Sequence, residues 1–519
     1  MAETIKQNGF TRRNFIKGAV VSAGSAAMIG LGLKRAEAIP YSKVEGKWDV
    51  ETDVVIVGGG GGGLAAAIEA ADAGAEVLVL EVMFNHLLSN TAICGGVVMG
   101  AGTLTQKESG IKDSSVEFEK YLEAVGEGFD DPSLRHVFAE KSGTTIDWLM
   151  KMGVDFPSKN LYISGNERDY SAVTEPKARG HITNTHSGRP ISDALFNAAK
   201  SKNVKFKFNT AATQLIITPE MSVAGIKAKK GKKSLYIKAR KGVILASGGF
   251  SRNNYFIKNF MPKLLAGGSF GSPWQKGDGI TMGQSVGAKL TTMWAPQAAT
   301  IGVPTTKRMT PCLVIPIWRN PCVMVAQDGR RHFREDLFYE ILYERISEQP
   351  DGMVWTIWDQ KITDLGGNMI AVPAFSKDLS VEVKKGWVKK DTTIKGLASK
   401  MGLDPEVLEA TMHKHNQDAV AKKDTEFGKE LGLAPISNPP FYAAKTVPAV
   451  ADTAGGLAIN EKSQVLNVYD QIIPKLYATG STTGAWRGRV YPGSGDAVGY
   501  AVTFGRIAGK QAAAEKPSS

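Results

Sequence analysis

Cysteine is scarce. Only Cys94, Cys312 and Cys322 occur among 519 residues, and an odd set of three excludes a disulfide framework. They read as small buried hydrophobes. No Cys-x-x-Cys-His occurs, so the chain attaches no c-type haem of its own. The seven histidines show no zinc-ligand spacing; His413 and His415 are expected on a solvated helix without a metal. No apolar run is long enough to span a bilayer: the stretch Ala19 to Leu33 is short and rich in Gly, Ala and Ser. Internal repeats and low-complexity tracts are also missing. Acidic residues are outnumbered, 51 against 63 Lys and Arg, for a net charge of +12.

What is present begins with an address. Thr11-Arg12-Arg13-Asn14-Phe15-Ile16-Lys17 has twin-arginine form, and Ala36-Glu37-Ala38 has the form of a cleavage site. This predicts a signal over 1–38, export through the twin-arginine machinery to a bacterial periplasm or beyond, and a mature chain from about Ile39. That route carries folded proteins and suits one that takes a cofactor in the cytoplasm first. The segment holds six basic and two acidic residues, so the remainder stays basic. The cluster Lys229-Lys230-Gly231-Lys232-Lys233 reads as a solvated hairpin turn, with a docking patch for an acidic redox partner as the sharper alternative. Nucleic acid is not expected as a partner.

The strongest local pattern follows. Asp53 to Val57 is a continuous apolar strand, Gly58 to Gly63 are six glycines, Leu64 to Ala71 is helical, and Glu76 to Leu80 is a second strand ending at Glu81. Apolar runs of this kind mark parallel strands buried on both faces. Gly58, Gly60 and Gly63 stand in G-x-G-x-x-G spacing. The first serves the tight turn, the second the approach of backbone to a pyrophosphate, and the third helix–strand packing. A phosphate then meets free N–H groups at a helix N-terminus. Glu81 lies roughly 20 residues on, where an acid takes ribose hydroxyls.

Further along, two helices are expected over 114–152, closed by Gly153, and another from Ser192 to Lys200. Strands are expected over Val204 to Thr218, 223–240 and Gly242 to Leu245, the last closed by Ser247-Gly248-Gly249. Gly277-Asp278-Gly279 opens a short helix. From 288 to 440 the pattern changes: Pro, Trp and Met increase and the glycine signatures stop. That stretch reads as a separate capping or substrate domain ending in helical 404–421 and Asn438-Pro439-Pro440. Sheet patterning resumes after 440, with a final helix from about Ala497 to Ala513.

Taken together, these residues resemble the flavoprotein superfamily of soluble fumarate reductases and 3-ketosteroid dehydrogenases. The anchors are the 53–81 unit, Asn90-Thr91 before Gly95-Gly96, Ala246 to Phe250, Gly277-Asp278-Gly279, Asp328-Gly329-Arg330-Arg331 leading to Glu335, Leu476 to Gly480, and Phe504-Gly505-Arg506. The resemblance implies an α/β fold. A Rossmann-like, glutathione-reductase-like FAD domain would be formed by 39–287 and 441–519, with the α+β capping domain 288–440 inserted. It implies FAD contacts at Gly58, Gly60, Gly63, Glu81, Asn90, Thr91, Gly95, Gly96, Ala246, Gly248, Asp278, Gly480, Ala497 and Val498. Members with covalent flavin carry a histidine near position 90; Asn90 cannot form that bond, so FAD is expected to be noncovalent.

The same resemblance bears on the substrate. Fumarate reductases place an arginine four residues after the glutamate of an Asn-Glu pair; here Glu335 is followed at that offset by Tyr339. They have a histidine before Thr-x-Gly-Gly; here the run is Ala451-Asp452-Thr453-Ala454-Gly455-Gly456. Their C-terminal Asn-Arg-Leu-Gly-Gly is replaced by Tyr491-Pro492-Gly493-Ser494-Gly495. A dicarboxylate clamp needs forked cations, so fumarate is not the expected substrate. Tyr-Pro-Gly-x-Gly is instead the ketosteroid dehydrogenase motif. By that likeness Tyr339 exchanges a proton at the carbon α to a carbonyl, the Tyr491 hydroxyl and Gly495 N–H hold the carbonyl oxygen, and Tyr170, in a loosely matching Asp169-Tyr170 pair, supports Tyr339. Arg487 and Arg489 flank the motif and read either as contacts to an acidic substrate group or as surface salt bridges.

Donors preorganised on an enolate oxygen lower the barrier by roughly 3–4 kcal/mol each in favourable cases. The expected function is therefore an exported FAD-dependent oxidoreductase that reduces a C=C conjugated to a carbonyl. Its electrons would come from a separate cytochrome or quinol-linked partner. The same site run backwards, as a 3-oxosteroid-type dehydrogenase, is the alternative; a noncatalytic flavin electron-transfer module is the second.

Overall fold

The computed structural model describes residues 38–518 apart from 45–46, 166–167, 169, 266, 304–312, 315–320, 365–375 and 377, and leaves undescribed the side chains of 298–303, 313–314 and 339. The twin-arginine segment, Asp169 and Cys312 lie outside the described residues. Among them, no helix is long and apolar enough to cross a membrane.

The first unit forms as its pattern dictates. Val50–Val57 pairs in parallel with Val77–Leu80 on one side and with Lys233–Leu245 on the other. Helix Gly61–Asp72 connects the two parallel strands Val50–Val57 and Val77–Leu80. Side chains alternate across the sheet. Val54 and Ile56 pack with Leu64, Ile68 and Leu195, while Val55 and Val57 pack with Leu245, Ile280 and Phe250. Both faces are covered, which is why the strand is apolar throughout. The sheet has nine strands. Ile39–Pro40, Ala211–Ile217 and Val223–Lys230 lie beyond Lys233–Leu245 on one flank; Val77–Leu80 and Lys205–Lys207 lie on the other. Ile472–Ala478 returns from the C-terminal region to pair in parallel with Val243 to Leu245. The basic cluster is the hairpin turn of Val223–Lys230 and Lys233–Leu245, with Gly231 at φ +57°. The final helix, Asp496–Ala514, crosses the first one at backbone contact: a Cβ at Gly505 would stand 2.2 Å from the Gly62 carbonyl oxygen.

The inserted region builds its own six-stranded sheet from Pro296–Val303, Leu313–Val314, Val323–Val325, Val354–Asp359, Val388–Asp391 and Phe441–Thr453. Phe441–Thr453, 13 residues long, pairs with Pro296–Val303 and with both Val354–Asp359 and Val388–Asp391. A boundary at 440 therefore falls just before the strand that joins this sheet together, and the second sheet continues through Thr453. The strand's Ala- and Val-rich sequence looks like the first sheet; its partners are distant in sequence.

Buried charges brace the insertion. Arg331 donates to Glu335 Oε1 at 2.8 Å and to Asp424 Oδ2 at 2.8 Å, and Lys429 Nζ lies 3.4 Å from Glu335 Oε2. His415 packs against this cluster. It is fully buried on helix Pro405–Val420, contrary to the solvated position expected of it, and its Nε2 donates to the Ala434 carbonyl at 3.2 Å. Burial pushes the imidazole down to about 4. His413 is exposed as expected. Cys322 is buried, but Cys94 is only partly so.

Candidate active site

A cleft of about 920 Å³ runs along the C-terminal ends of the parallel strands, the position where open α/β sheets bind ligands. The Gly58–Gly62 turn forms its floor. Gly58 sits at φ +108°, and a Cβ there would meet the Ala246 carbonyl oxygen at 2.3 Å, so this position tolerates no side chain. The Gly61 N–H donates to Thr91 Oγ1 at 2.9 Å. Glu81, at one end of the cleft, accepts from the Gly59 N–H at 2.7 Å and the Met83 N–H at 2.9 Å. Burial pushes its carboxyl upward against those bonds. Asp278 opens helix Asp278–Gln284 at the wall, also pushed up by burial.

A polar hub forms in the cleft around Asp452. Its Oδ2 accepts from Asn90 Nδ2 at 2.8 Å, from Ser481 Oγ at 2.7 Å and from Gln275 Nε2 at 3.4 Å; Oδ1 accepts from the Thr453 N–H at 2.8 Å. Complete burial still outweighs these donors and lifts the carboxyl to about 6. Asp452 was visible in sequence only as the residue standing where a histidine is missing. Its place at the end of a strand, followed by Thr-x-Gly-Gly, was the signal that it faces the cleft.

The tyrosine motif forms a second structure. Tyr491 is buried and stacks on Phe338, ring centroids 6.0 Å apart at 21°. Arg487 also lies over the Tyr491 ring, its Cζ 5.1 Å from the centroid. Gly495 adopts φ +100°, and a Cβ there would stand 2.7 Å from the Met99 N; its carbonyl accepts from that N–H at 3.0 Å. The loop is also held by the Ser494 N–H on the Ser164 carbonyl at 2.9 Å and by the Tyr121 hydroxyl on the Pro492 carbonyl. Tyr170 packs edge-on against Tyr121, centroids 6.4 Å apart, and so reaches the Tyr491 loop through Tyr121. Tyr339 begins helix Tyr339–Ser347, directly after Phe338; its side chain lies outside the described residues, as does Asp169.

Arg487 and Arg489 part company. Arg489 is an exposed partner of Glu127 at 3.3 Å. Arg487 is buried, donates to the Pro296 carbonyl and reaches Glu340 Oε2 at 3.5 Å. It thereby ties the tyrosine loop to the second sheet and to helix Tyr339–Ser347, rather than making a surface salt bridge.

Of the expected cofactor positions, Gly58, Gly60, Glu81, Asn90, Thr91, Ala246, Gly248, Asp278 and Gly480 line the cleft. Gly63 lies behind the turn, where a Cβ would meet the Gly58 carbonyl at 2.0 Å. Gly95 and Gly96 link Asn90–Ile93 to strand Val97–Met99; Ala497 and Val498 start the final helix. These five are not among the residues lining the cleft. The residues fit an adenine dinucleotide: a carboxylate for a ribose diol, a glycine-lined helix N-terminus for the pyrophosphate, and a polar hub of mixed donors and acceptors around Asp452.

The FAD binding domain family matches residues 53–498. The chain is 28% identical over 463 residues to a fumarate reductase (cytochrome) of Shewanella frigidimarina, covering 89% of this chain and 77% of that protein. It is 29% identical over 536 residues to a urocanate reductase of Eggerthella lenta, covering 99% and 85%. The solved 3-ketosteroid-Δ4-(5α)-dehydrogenase of Rhodococcus jostii, in complex with 4-androstene-3,17-dione, superposes with a TM-score of 0.73 at 27% identity, covering 92% of this chain and all of that one.

Proposed function

The chain belongs to the FAD binding domain family and is a FAD-dependent oxidoreductase acting on C=C bonds, and on that premise we propose that it reduces a C=C conjugated to a carbonyl in a substrate other than fumarate. The observation that carries the reading is the packing of the Tyr491–Gly495 loop under Phe338, with the start of helix Tyr339–Ser347 beside it.

FAD, held by the Gly58–Gly62 turn, Glu81 and Asp278, supplies the hydride when bound. Asn90 offers no nucleophile for a covalent flavin link. The Tyr491 hydroxyl and the Gly495 N–H hold the carbonyl oxygen, where charge accumulates as the β-carbon is reduced. Tyr339 gives the proton to the α-carbon, and Tyr170 braces the loop through Tyr121. The burial of Tyr491 excludes water from that oxygen. At the place where fumarate reductases have a histidine, Asp452 puts a carboxyl that would repel a dicarboxylate once ionised.

Electrons arrive from a separate cytochrome or quinol-linked partner, and the protein works outside the cytoplasm after twin-arginine export. The test is anaerobic photoreduction of the FAD holoenzyme followed by mixing with enones. Flavin reoxidation by an enone supports the reading; reduction of oxidised flavin by saturated ketones, with no reoxidation by enones, assigns the dehydrogenase direction instead.

A further inference from the structure

A second, small cavity lies beside the tyrosine loop, separate from the dinucleotide cleft. Its wall includes Asp130, Arg135, Trp486, Arg487, Asp496 and Leu122. The residues are buried, yet Asp130 Oδ1, Arg135 Nε, Trp486 Nε1, Arg487 Nε and Nη1, and Asp496 Oδ2 have no hydrogen-bond partner among the described residues. Leaving so many polar atoms dry would cost about 1–3 kcal/mol for each. The cavity has room for about one water, and its donors and acceptors suit one. Two cations face two acids here, so the site favours neutral water over an anion.

One wall opens toward the surface. Arg135 Nη1 donates to Asp130 Oδ2 at 2.8 Å, and Nη2 reaches Glu123 Oε1 at 3.3 Å; the Glu123 side chain is 66% exposed. The other wall ends at the reacting loop. Asp496 directly follows Gly495, its Oδ1 accepts from Gln297 Nε2 at 2.8 Å, and Arg487 lies over the Tyr491 ring. Gln297 stands opposite Asp452 in the register of the second sheet.

We propose that one water held in this cavity joins Glu123, the Arg135–Asp130 pair and Asp496 into a proton conduit, which resupplies the proton consumed in each C=C reduction. The inference rests on the reductase function proposed above. In each turnover the C=C gains a hydride from reduced FAD and one proton at the α-carbon. The group that gave the proton is left deprotonated and takes its replacement from bulk water through the conduit. The reducing equivalents come from the electron-transfer partner. Asp496 is a positioning and relay residue that passes a proton without touching the substrate. The charged groups facing it are Arg487, with Glu340 behind it, and Arg135 with Asp130 across the cavity. Burial lifts its carboxyl to about 7, where it can both accept and release a proton at working pH.

The test uses photoreduced holoenzyme of the wild type, Asp496→Asn and the cavity-filling Leu122→Phe. Flavin reoxidation by 4-androstene-3,17-dione and by urocanate is followed in H₂O and D₂O across pH. Both variants are expected to bind and photoreduce FAD normally. Reoxidation should slow at least about tenfold, with a larger solvent isotope effect, and Asp496→Asn should lose the ionisation near 7. Wild-type rates, isotope effects and pH profiles in both variants would overturn the conduit. If neither compound reoxidises wild-type flavin, the reductase function is what fails. The conduit is then judged by infrared difference spectra of photoreduction, which should contain a protonated-carboxyl band missing from Asp496→Asn. Absence of that band in the wild type overturns the relay.

Discussion

The side-chain amide of Asn90 donates to Asp452 Oδ2 across 2.8 Å, joining two residues 362 positions apart. One follows the first dinucleotide-binding unit; the other ends the central strand of the inserted sheet. The contact ties the inserted sheet to the first unit in the cleft wall, and it places a carboxyl of raised pKa in the cofactor site.

That carboxyl makes stability depend on pH. Asp452 rises from 3.8 to about 6 on folding, so its contribution is fully present below 3.8 and is lost as pH rises through 6. His181 and His415, each pushed from 6.5 down to about 4 by burial, act oppositely: their contribution is present above 6.5 and is lost as pH falls through 4. The difference between Asp452→Asn and wild type isolates the aspartate. In denaturant melts of flavin-free protein, the variant should gain about 2–3 kcal/mol on wild type between pH 4 and pH 6 and hold that gain above. A flat difference curve refutes the assignment.

Tyr491→Phe removes one donor from the carbonyl oxygen and leaves the stack on Phe338 in place. Turnover of the best enone should fall by about 10²-fold, with flavin content and absorption spectrum unchanged. Steady-state rates with photoreduced or dithionite-driven enzyme measure this.

Gly58→Ala places a Cβ 2.3 Å from the Ala246 carbonyl at φ +108°. Backbone forced into that region costs about 1–3 kcal/mol, and the turn must shift off the pyrophosphate position. The variant should purify without flavin while keeping its far-UV circular dichroism. Full FAD occupancy would contradict the placement of the cofactor.

Glu335→Gln breaks the buried cluster with Arg331 and Lys429 and should destabilise the protein by about 3–5 kcal/mol. The two cations hold the Glu335 carboxyl below its ordinary value despite the opposing effect of burial. The wild-type advantage is therefore present above pH 4.5 and is lost as pH falls through the depressed value. Urea melts at neutral and acidic pH test both parts.

Much of this was legible before the structure. Strands buried on both faces announce themselves as unbroken apolar runs, and Gly58 and Glu81 carry their geometry in their spacing. Other features depend on distant partners. Arg487 looks like a surface cation because arginine normally is one; its burial is set by Pro296 and Glu340, 191 and 147 residues away. His415 continues the buried stripe of Leu408, Met412 and Ala419 on its helix, but the residue type does not announce burial, and its charged neighbours Arg331, Glu335 and Lys429 are distant in sequence. Strand Phe441–Thr453 resembles the first sheet in composition and joins the second, because pairing is decided by partners that local pattern does not name. Asp452 and Asp496 gain their chemistry only from burial.

The central claim is that reduced flavin in this protein delivers a hydride to a carbonyl-conjugated C=C. The most direct measurement is stopped-flow absorbance of anaerobically photoreduced holoenzyme mixed with an enone series, fumarate included. The account predicts rapid return of the oxidised flavin spectrum with at least one enone, none with fumarate, and loss of that rapid phase in Tyr491→Phe. Reoxidation by fumarate, or an enone rate indifferent to the Tyr491 hydroxyl, would contradict it.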